Sequence, residues 1–432
     1  MKGFLLFLSL WFTGSLSAQE LHNEALLDMV QRQTFRYFWD FGHPVSGLAR
    51  ERTDTVHVSH EVVTVGGSGF GVMAIIIGIE RGYITREQGL ERLLKMVHFL
   101  DKKAERWHGI WPHWLNGTTG KVIAFSEKDE GADLVETSFL FQGLLMAHQY
   151  FDRKTMKEKE LRQEIDKLWR EADWYWFTNG QPVLYWHWSP NYGWEMNHPI
   201  RGHNEAQITY ILGASSPTHP IHDSVYHQGW ANGPVFRNGK EFYGILLPLG
   251  MDYGGPLFFT HYSYLGLDPR GLKDRYADYW QQNVNHTLIN RRHAIVNPWG
   301  YKGYGVNSWG FTASDGNKGY AAHDPLNDRG VITPTAALSA FPYTPEYSMD
   351  VLRHFYYTLG KDLWGEYGFR DAFNPTVNWV ADSYLAIDQG PIIGMIENFR
   401  SGLLWELFMS HPDVKKGLKR LGFESPHLED KN

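Results

Sequence analysis

The chain has 432 residues, a formal net charge of −7 and no cysteine. The missing thiols exclude disulfides, thiolate metal sites and lipid attachment through an N-terminal cysteine. An acidic balance without a basic block argues against a nucleic-acid partner.

The first residues, MKGFLLFLSLWFTGSLSAQE, follow the grammar of a secretory signal. Lys2 supplies the positive start, Phe4 to Phe12 a short apolar run, and small residues lead to Ala18. The run is too short for a mature anchor. We expect a signal peptide over 1–18, export to the periplasm or medium, and no integral membrane segment in the mature chain. Helical periodicity dominates the rest of the chain. It predicts helices near 21–41, 68–81, 86–103, 133–151, 156–177, 204–213, 256–265, 273–292, 334–340, 345–359, 391–400 and 402–410. Strand-like alternation is confined to short stretches at 57–65 and 242–250. No composition break marks a linker, so 19–432 reads as one domain. Greasy helices alternate with amphipathic ones such as REQGLERLLKMVHFLDK. That alternation points to an all-α toroid, with inner helices ringed by outer ones and their starts sharing one rim.

Three greasy helices begin with acids. In KDEGADLVETSFLFQGLLMAHQYF, Asp129, Asp133 and Glu136 stand at i, i+4 and i+7, within roughly 60° on one helix face. Like charges stacked so repel. Capping by Asp133 with Glu136 three residues on accounts for one or two acids, not three. In RGHNEAQITYILG, His203 or Asn204 is the candidate cap, and Glu205 heads a stripe with Ile208, Thr209 and Leu212. Desolvation there raises a carboxyl pKa while the helix start lowers it, and sequence does not say which wins. In AIDQGPIIGMIENFRSG, Asp388 and Gln389 precede Pro391, a residue suited to a first turn.

Aromatic residues make up 15% of the chain, many of them in glycine-rich loops. Trp188, Tyr192, Trp194, Trp299, Tyr301, Tyr304 and Trp309 are candidates for sugar-stacking walls. Paired carboxyls flanking a scissile bond are what most glycosidases use. The chain lacks GxSxG, a P-loop lysine and the EF-hand spacing, and its histidine pairs lack a metal-ligand set. A non-catalytic glycan-binding barrel would keep the aromatics and lose the acids. A polysaccharide lyase would want basic residues in the cleft.

GSGFGVMAIIIGIERGYITREQ at 67–88, DEGADLVETSFLFQGLL, HNEAQITYILGASSPTHP, PLFFTHYSYLGLDPRG and NPWGYKGYGVNSWGFTASDGNKGY resemble the bacterial glycoamylase family. Within it they are most similar to glycoside hydrolase family 144, the β-1,2-glucanases. The resemblance runs from about residue 25 to 410. It implies an (α/α)6 barrel that cleaves β-1,2-glucan with inversion and needs no cofactor. It places the D-x3-D-x2-E motif on Asp129, Asp133 and Glu136 and the N-E-A glutamate on Glu205, the favoured general acid. Asp133 and then Asp388 are the candidates for the base. Arg201, His203, Trp188, Trp194, Tyr301 and Trp309 join Asp129 and Glu136 as expected substrate-binding residues. The expected partner is a glucan, acted on by a monomer with no metal. Endo action is the first reading; exo release of a short product such as sophorose is the alternative.

Overall fold

A computed structural model describes residues 21–56 and 58–429; the signal expected over 1–18 lies outside them. The helices in chain order are α1 (Asn23–Trp39), α2 (Val65–Glu80), α3 (Arg86–Lys102), α4 (Leu134–Tyr150), α5 (Met156–Glu171), α6 (Gln207–Ser215) and α7 (Asp223–Val225). They continue with α8 (Tyr279–Val296), α9 (Pro334–Leu338), α10 (Pro345–Arg353), α11 (Gly360–Leu363), α12 (Ala386–Arg400), α13 (Leu403–Ser410) and α14 (Pro412–Arg420). Strands are short. β1 (Val62–Thr64), β2 (Trp114–Asn116) and β3 (Val122–Ile123) form an antiparallel trio. β4 (Ala132–Asp133) pairs with β5 (His187–Trp188), and β6 (Arg237–Phe242) with β7 (Ile245–Leu249).

The helices fall into two kinds. In α2, α4, α6 and α12 nearly every residue is buried, so none has a solvent face. In α3 and α5 the buried residues lie on one side only, and these two pack on each other and on α2 and α4. A helix apolar all round is stable only inside other elements, and α2 lies between α4 and α12. The α2–α4 contact is backbone on backbone. A Cβ on Gly69 would meet the Phe139 carbonyl oxygen at 2.1 Å, and one on Gly143 would meet the Gly69 carbonyl oxygen at 2.3 Å. Among the described residues no helix is long and apolar enough to cross a membrane.

Two predicted helices are corrected and one unpredicted helix is added. The 256–265 segment is two short 3-10 turns, Leu257–Thr260 and Ser263–Leu265, interrupted at His261 and Tyr262. The helix predicted over 391–400 starts five residues earlier, at Ala386. Pro391 therefore lies inside it, where it removes one backbone donor. α14 is a helix that the periodicity did not mark.

Candidate active site

Asp133 ends β4 and caps α4, because a strand residue with extended backbone can aim its carboxylate back at the first free amides. Its Oδ1 accepts from the amides of Val135 at 3.0 Å and Glu136 at 2.9 Å. Its Oδ2 accepts from His113 Nδ1 at 3.1 Å and Trp186 Nε1 at 3.3 Å. Both oxygens of this fully buried carboxylate are thus occupied. The helix starts at Leu134, so the predicted three-acid helix face does not exist: Asp129 stands before the helix, in a loop. The loop and strand pairing nevertheless return Asp129 to the cluster, with Oδ1 3.1 Å from His187 Nε2 across the β4–β5 pair. Burial opposes charge on His113, but Glu136, Asp133 and Asp129 override it and lift its pKa to about 9. His113, Asp129 and Asp133 present ligand atoms within 4.8 Å of one another. The His113 imidazolium is itself a cation beside these acids.

Glu136 reaches across to the start of α2, where its Oε2 accepts from the Gly66 amide at 2.8 Å. A Cβ at residue 66 would lie 2.4 Å from that oxygen, so the contact requires glycine. Burial raises the Glu136 carboxyl to about 7; Asp133 and Asp129 push the same way, while His113 and the Gly66 amide oppose them.

Glu205 lies in the turn before α6, which starts at Gln207 and not at the glutamate. It therefore does not head the helical stripe that its spacing with Ile208 predicted. Asn204 Oδ1 accepts from the Ala206 amide at 2.9 Å, and Ser263 Oγ donates to the Glu205 carbonyl while accepting from Ile208 N at 3.0 Å. The backbone of the turn is pinned, and the half-buried carboxyl accepts from its own backbone amide. Burial outweighs that bond and raises the carboxyl to about 7, with repulsion from Glu136 and Asp133 adding to the shift.

A second acid group assembles from four separate segments, and of its members the sequence announced only Asp388. Arg52 sits between Glu51 (Nε to Oε2, 2.8 Å) and Asp315 (Nη1 to Oδ1, 2.9 Å). Asp371 Oδ2 accepts from the Asp315 amide at 2.7 Å. Asp388, in the first turn of α12, is buried beside Asp371, and each carboxyl acts on the other. Burial, followed by repulsion from a neighbouring aspartate, raises Asp371 to about 7 and Asp388 well above its ordinary range. Beside the group opens a cavity of about 550 Å³ lined by Arg52, Asp315, Tyr320, Trp379, Asp382 and Ser383. Asp315 and Tyr320 belong to the stretch NPWGYKGYGVNSWGFTASDGNKGY that carries the family resemblance, and their position there was the signal available.

The aromatic expectations divide. Trp194 and Trp176 line a depression of about 290 Å³ with Tyr175, and Trp188 packs edge-on against Trp176 at 5.4 Å. Tyr301 lines a cavity of about 400 Å³ that shares Gly316, Asn317 and Gly319 with the Arg52 cavity. Tyr304 donates to Asp328 at 2.6 Å, and Tyr192 and Trp299 are exposed. Trp309 is fully buried in a core cluster with Phe311 and Ile332, so its faces are closed to a ligand. His203 is buried and neutral, lowered by burial to about 3, against Trp230 and Tyr279. Arg201 holds the carbonyl of Gln228 at 2.9 Å.

A family model matches residues 197–412, half of the chain; the family is glycoamylase, described as "Putative glucoamylase". The chain is similar to a solved structure from Bacteroides uniformis described as a "putative glucoamylase". The two are 66% identical with a TM-score of 0.94, over 95% of this chain and 100% of that one. It is similar to the endo-β-1,2-glucanase from Chitinophaga pinensis, solved with sophorotriose and glucose. That match is 58% identical with a TM-score of 0.92, again over 95% of this chain and 100% of that one. It is 48% identical, over 95% of its length, to the exo β-1,2-glucooligosaccharide sophorohydrolase (non-reducing end) of Parabacteroides distasonis. The chain spans 59% of the length of that curated relative. It belongs to the glycoamylase family.

Proposed function

From that membership we propose that this chain is an inverting glycoside hydrolase that cleaves β-1,2-glucan. Glu205 is the general acid, and the Asp388–Asp371 pair supplies the base. The observation that carries the reading is Glu205 itself: a pinned, half-buried glutamate with its carboxyl raised to about 7 can still hold a proton near neutral pH. In the step, the proton of Glu205 passes to the glycosidic oxygen as its bond to the anomeric carbon breaks. Water attacks that carbon from the opposite face and gives its proton to the Asp388–Asp371 pair. The interaction within the pair raises Asp388 and lowers Asp371, so Asp371 is the member that carries the charge and the pair accepts the proton as a unit. Asp133, the first candidate from sequence, has both oxygens bound to donors and no lone pair aimed at water, so we assign it to holding α4 and His113. Asp129 and Glu136 fix the opposite wall. Trp188, Trp194 and Tyr301 supply candidate sugar-stacking faces at the neighbouring openings.

The burial of α2, α4, α6 and α12, with amphipathic α3 and α5 outside them, supports an (α/α)6 barrel extending over 19–432 as one domain. We further propose a monomer exported by its N-terminal segment, acting endo on the polymer. Among the similar proteins one is named endo and another exo. The test is incubation with linear β-1,2-glucan, with products resolved by chromatography and the new reducing end followed by NMR in the first minutes. An α-anomer appearing first means inversion. A ladder of sizes means endo action, and one dominant disaccharide means exo action. An untouched polymer defeats the reading.

A further inference from the structure

The cavity beside Tyr301 has a volume of about 400 Å³, within the range of about 300–1,000 Å³ usual for ligand sites. Its polar wall is mostly spent on the protein itself. Asp328 Oδ1 accepts from the Tyr304 hydroxyl at 2.6 Å and the Gly330 amide at 3.0 Å, and its Oδ2 lies 2.8 Å from His293 Nε2. Asn374 Nδ2 donates to Asn317 Oδ1 and to the Arg329 carbonyl, both at 3.1 Å, while its Oδ1 accepts from the Thr376 amide. His323 differs. It lines the same cavity and is 1% exposed, yet neither ring nitrogen closes a hydrogen bond. Burial, followed by the charge of Arg329, lowers its pKa to about 4, and Asp328 and the Asn327 backbone oppose them only in part. The imidazole is therefore neutral near pH 7, with one nitrogen a donor and the other an acceptor.

A buried polar group without a partner is destabilising, and each such group requires a reason. The position of the ring supplies one. A Cβ on Gly316 would stand 3.4 Å from His323 Nε2, and Gly316, with Asn317 and Gly319, also lines the Arg52 cavity. The loop between the two cavities is tight, with the Gly319 amide donating to the Gly316 carbonyl at 2.9 Å. It is also bare, because a Cβ on Gly319 would meet nothing within 4 Å. Asp315, the residue before this loop, holds Arg52 and donates its amide to Asp371. One unbroken stretch of chain thus leads from the acid pair to His323. On the far wall Tyr301 is fixed by the Asn297 side chain, which accepts from its amide at 2.9 Å and donates to its carbonyl at 2.8 Å. We propose that the cavity beside Tyr301 is a distal glucosyl-binding site of the catalytic groove, in which His323 pairs with a sugar hydroxyl and Tyr301 supplies the wall for the ring. A sugar hydroxyl both donates and accepts, as a neutral imidazole does. A long β-1,2-glucan is then held on both sides of the 316–319 loop, whereas a short chain that ends in the Arg52 cavity does not reach His323.

This assignment rests on the hydrolase reading, and the test separates the two. Wild type, His323→Leu and Tyr301→Ala are assayed on β-1,2-glucooligosaccharides of increasing length and on linear β-1,2-glucan, with Tm measured for each. Binding of the same series is measured by calorimetry on the Glu205→Gln background. Leucine keeps much of the bulk of the ring and removes both nitrogens. Loss of one hydrogen bond to the ligand is expected to raise KM on long chains about three- to tenfold. With kcat within twofold, that is the pattern of lost binding. On the shortest chain that is cut, KM should stay within twofold of wild type. Kd should follow the same dependence on length. Tyr301→Ala leaves the His323 ring in place and should give the same pattern. Tm of His323→Leu should be unchanged or higher, because an unsatisfied buried group is gone. A loss equal at every length, a loss confined to kcat, no loss at any length or a Tm several degrees lower for His323→Leu would each overturn the assignment. If wild type cuts and the loss is uniform or absent, only this assignment fails. If wild type leaves every chain intact while Kd shows the length-dependent loss, the hydrolase reading fails and the binding site stands. If the chains are neither cut nor bound, both fail.

Discussion

Glu205→Gln is the perturbation on which the mechanism turns. Glutamine keeps the size and the carbonyl of the side chain and removes its titratable proton. At pH 6 a carboxyl raised to about 7 is about 90% protonated, whereas one at the ordinary value of 4.5 is about 3% protonated. The environment of Glu205 therefore enlarges the acid-competent fraction roughly thirtyfold. Loss of a positioned general acid removes about 10² to 10⁴ in rate, so kcat on linear β-1,2-glucan should fall by that factor, with KM little changed. The wild-type profile should lose activity as pH rises through about 7, because only the protonated acid works. Stability follows from the same shift with a definite sign. A carboxyl whose folded pKa is raised stabilises the fold fully below its unfolded value of 4.5, and that contribution is lost as pH rises through about 7. The displacement corresponds to about 3 kcal/mol at most. Glu205→Gln should therefore unfold at a higher denaturant concentration than wild type at pH 8, and at a similar one at pH 4. A variant with activity within threefold of wild type would refute the assignment. So would a wild-type profile flat from pH 6 to 8, or a variant no more stable at pH 8.

Other side chains give independent tests. Gly69→Ala forces a methyl to 2.1 Å from the Phe139 carbonyl oxygen, so α2 and α4 must separate; denaturant unfolding should show a loss of about 3 kcal/mol or more. Asp133→Ala removes the cap of α4 and strands the buried donors of His113 and Trp186. Its loss should be about 2–4 kcal/mol, with Asp133→Asn milder by equilibrium unfolding because the amide oxygen can still cap. Arg52→Met leaves Glu51 and Asp315 without their shared cation. The loss should be about 3–5 kcal/mol at pH 8 and smaller at pH 5, because the abandoned carboxyls can neutralise by taking up protons.

The sequence showed the buried helices clearly and their ends poorly, for physical reasons. α2 and α4 have no polar face, and a segment of that kind can be stable only in the interior. Their existence therefore follows from composition alone. Helix starts depend on bonds from distant segments. Ser263 Oγ ties down the amide of Ile208 and the carbonyl of Glu205, 55 and 58 residues away, and so moves the start of α6 past the glutamate. The 256–265 segment has helical spacing, but Tyr262 is locked among phenylalanines from two other helices, a constraint absent from local pattern. The second acid group draws on residues 51–52, 315, 371 and 388, so no window of the chain contains it. Trp309 shows the converse limit: an aromatic in a glycine-rich loop carries no mark of which way its ring faces, and this one faces the core.

The acids gather where they do because an inner helix tolerates a carboxylate at its start, or farther along only beside a cation, as Glu397 of α12 is held by Arg81. Along its length most neighbours are apolar, whereas at its start the first amides lack partners and carry partial positive charge. Asp133 uses the start of its own helix in this way, and Glu136 uses the start of α2. Once several such starts meet, as those of α2, α4 and α12 do, the carboxylates repel and the shared burial opposes ionisation. The competition left open by the sequence, helix start against desolvation, is decided by whether donors actually reach the oxygens. Asp133 accepts four and serves to hold α4 and its neighbours. Glu205 accepts from its own backbone amide, which burial outweighs, and its proton stays on to about 7. The same packing that makes the helices buried thus separates the acids into those that hold the fold and those free to exchange protons.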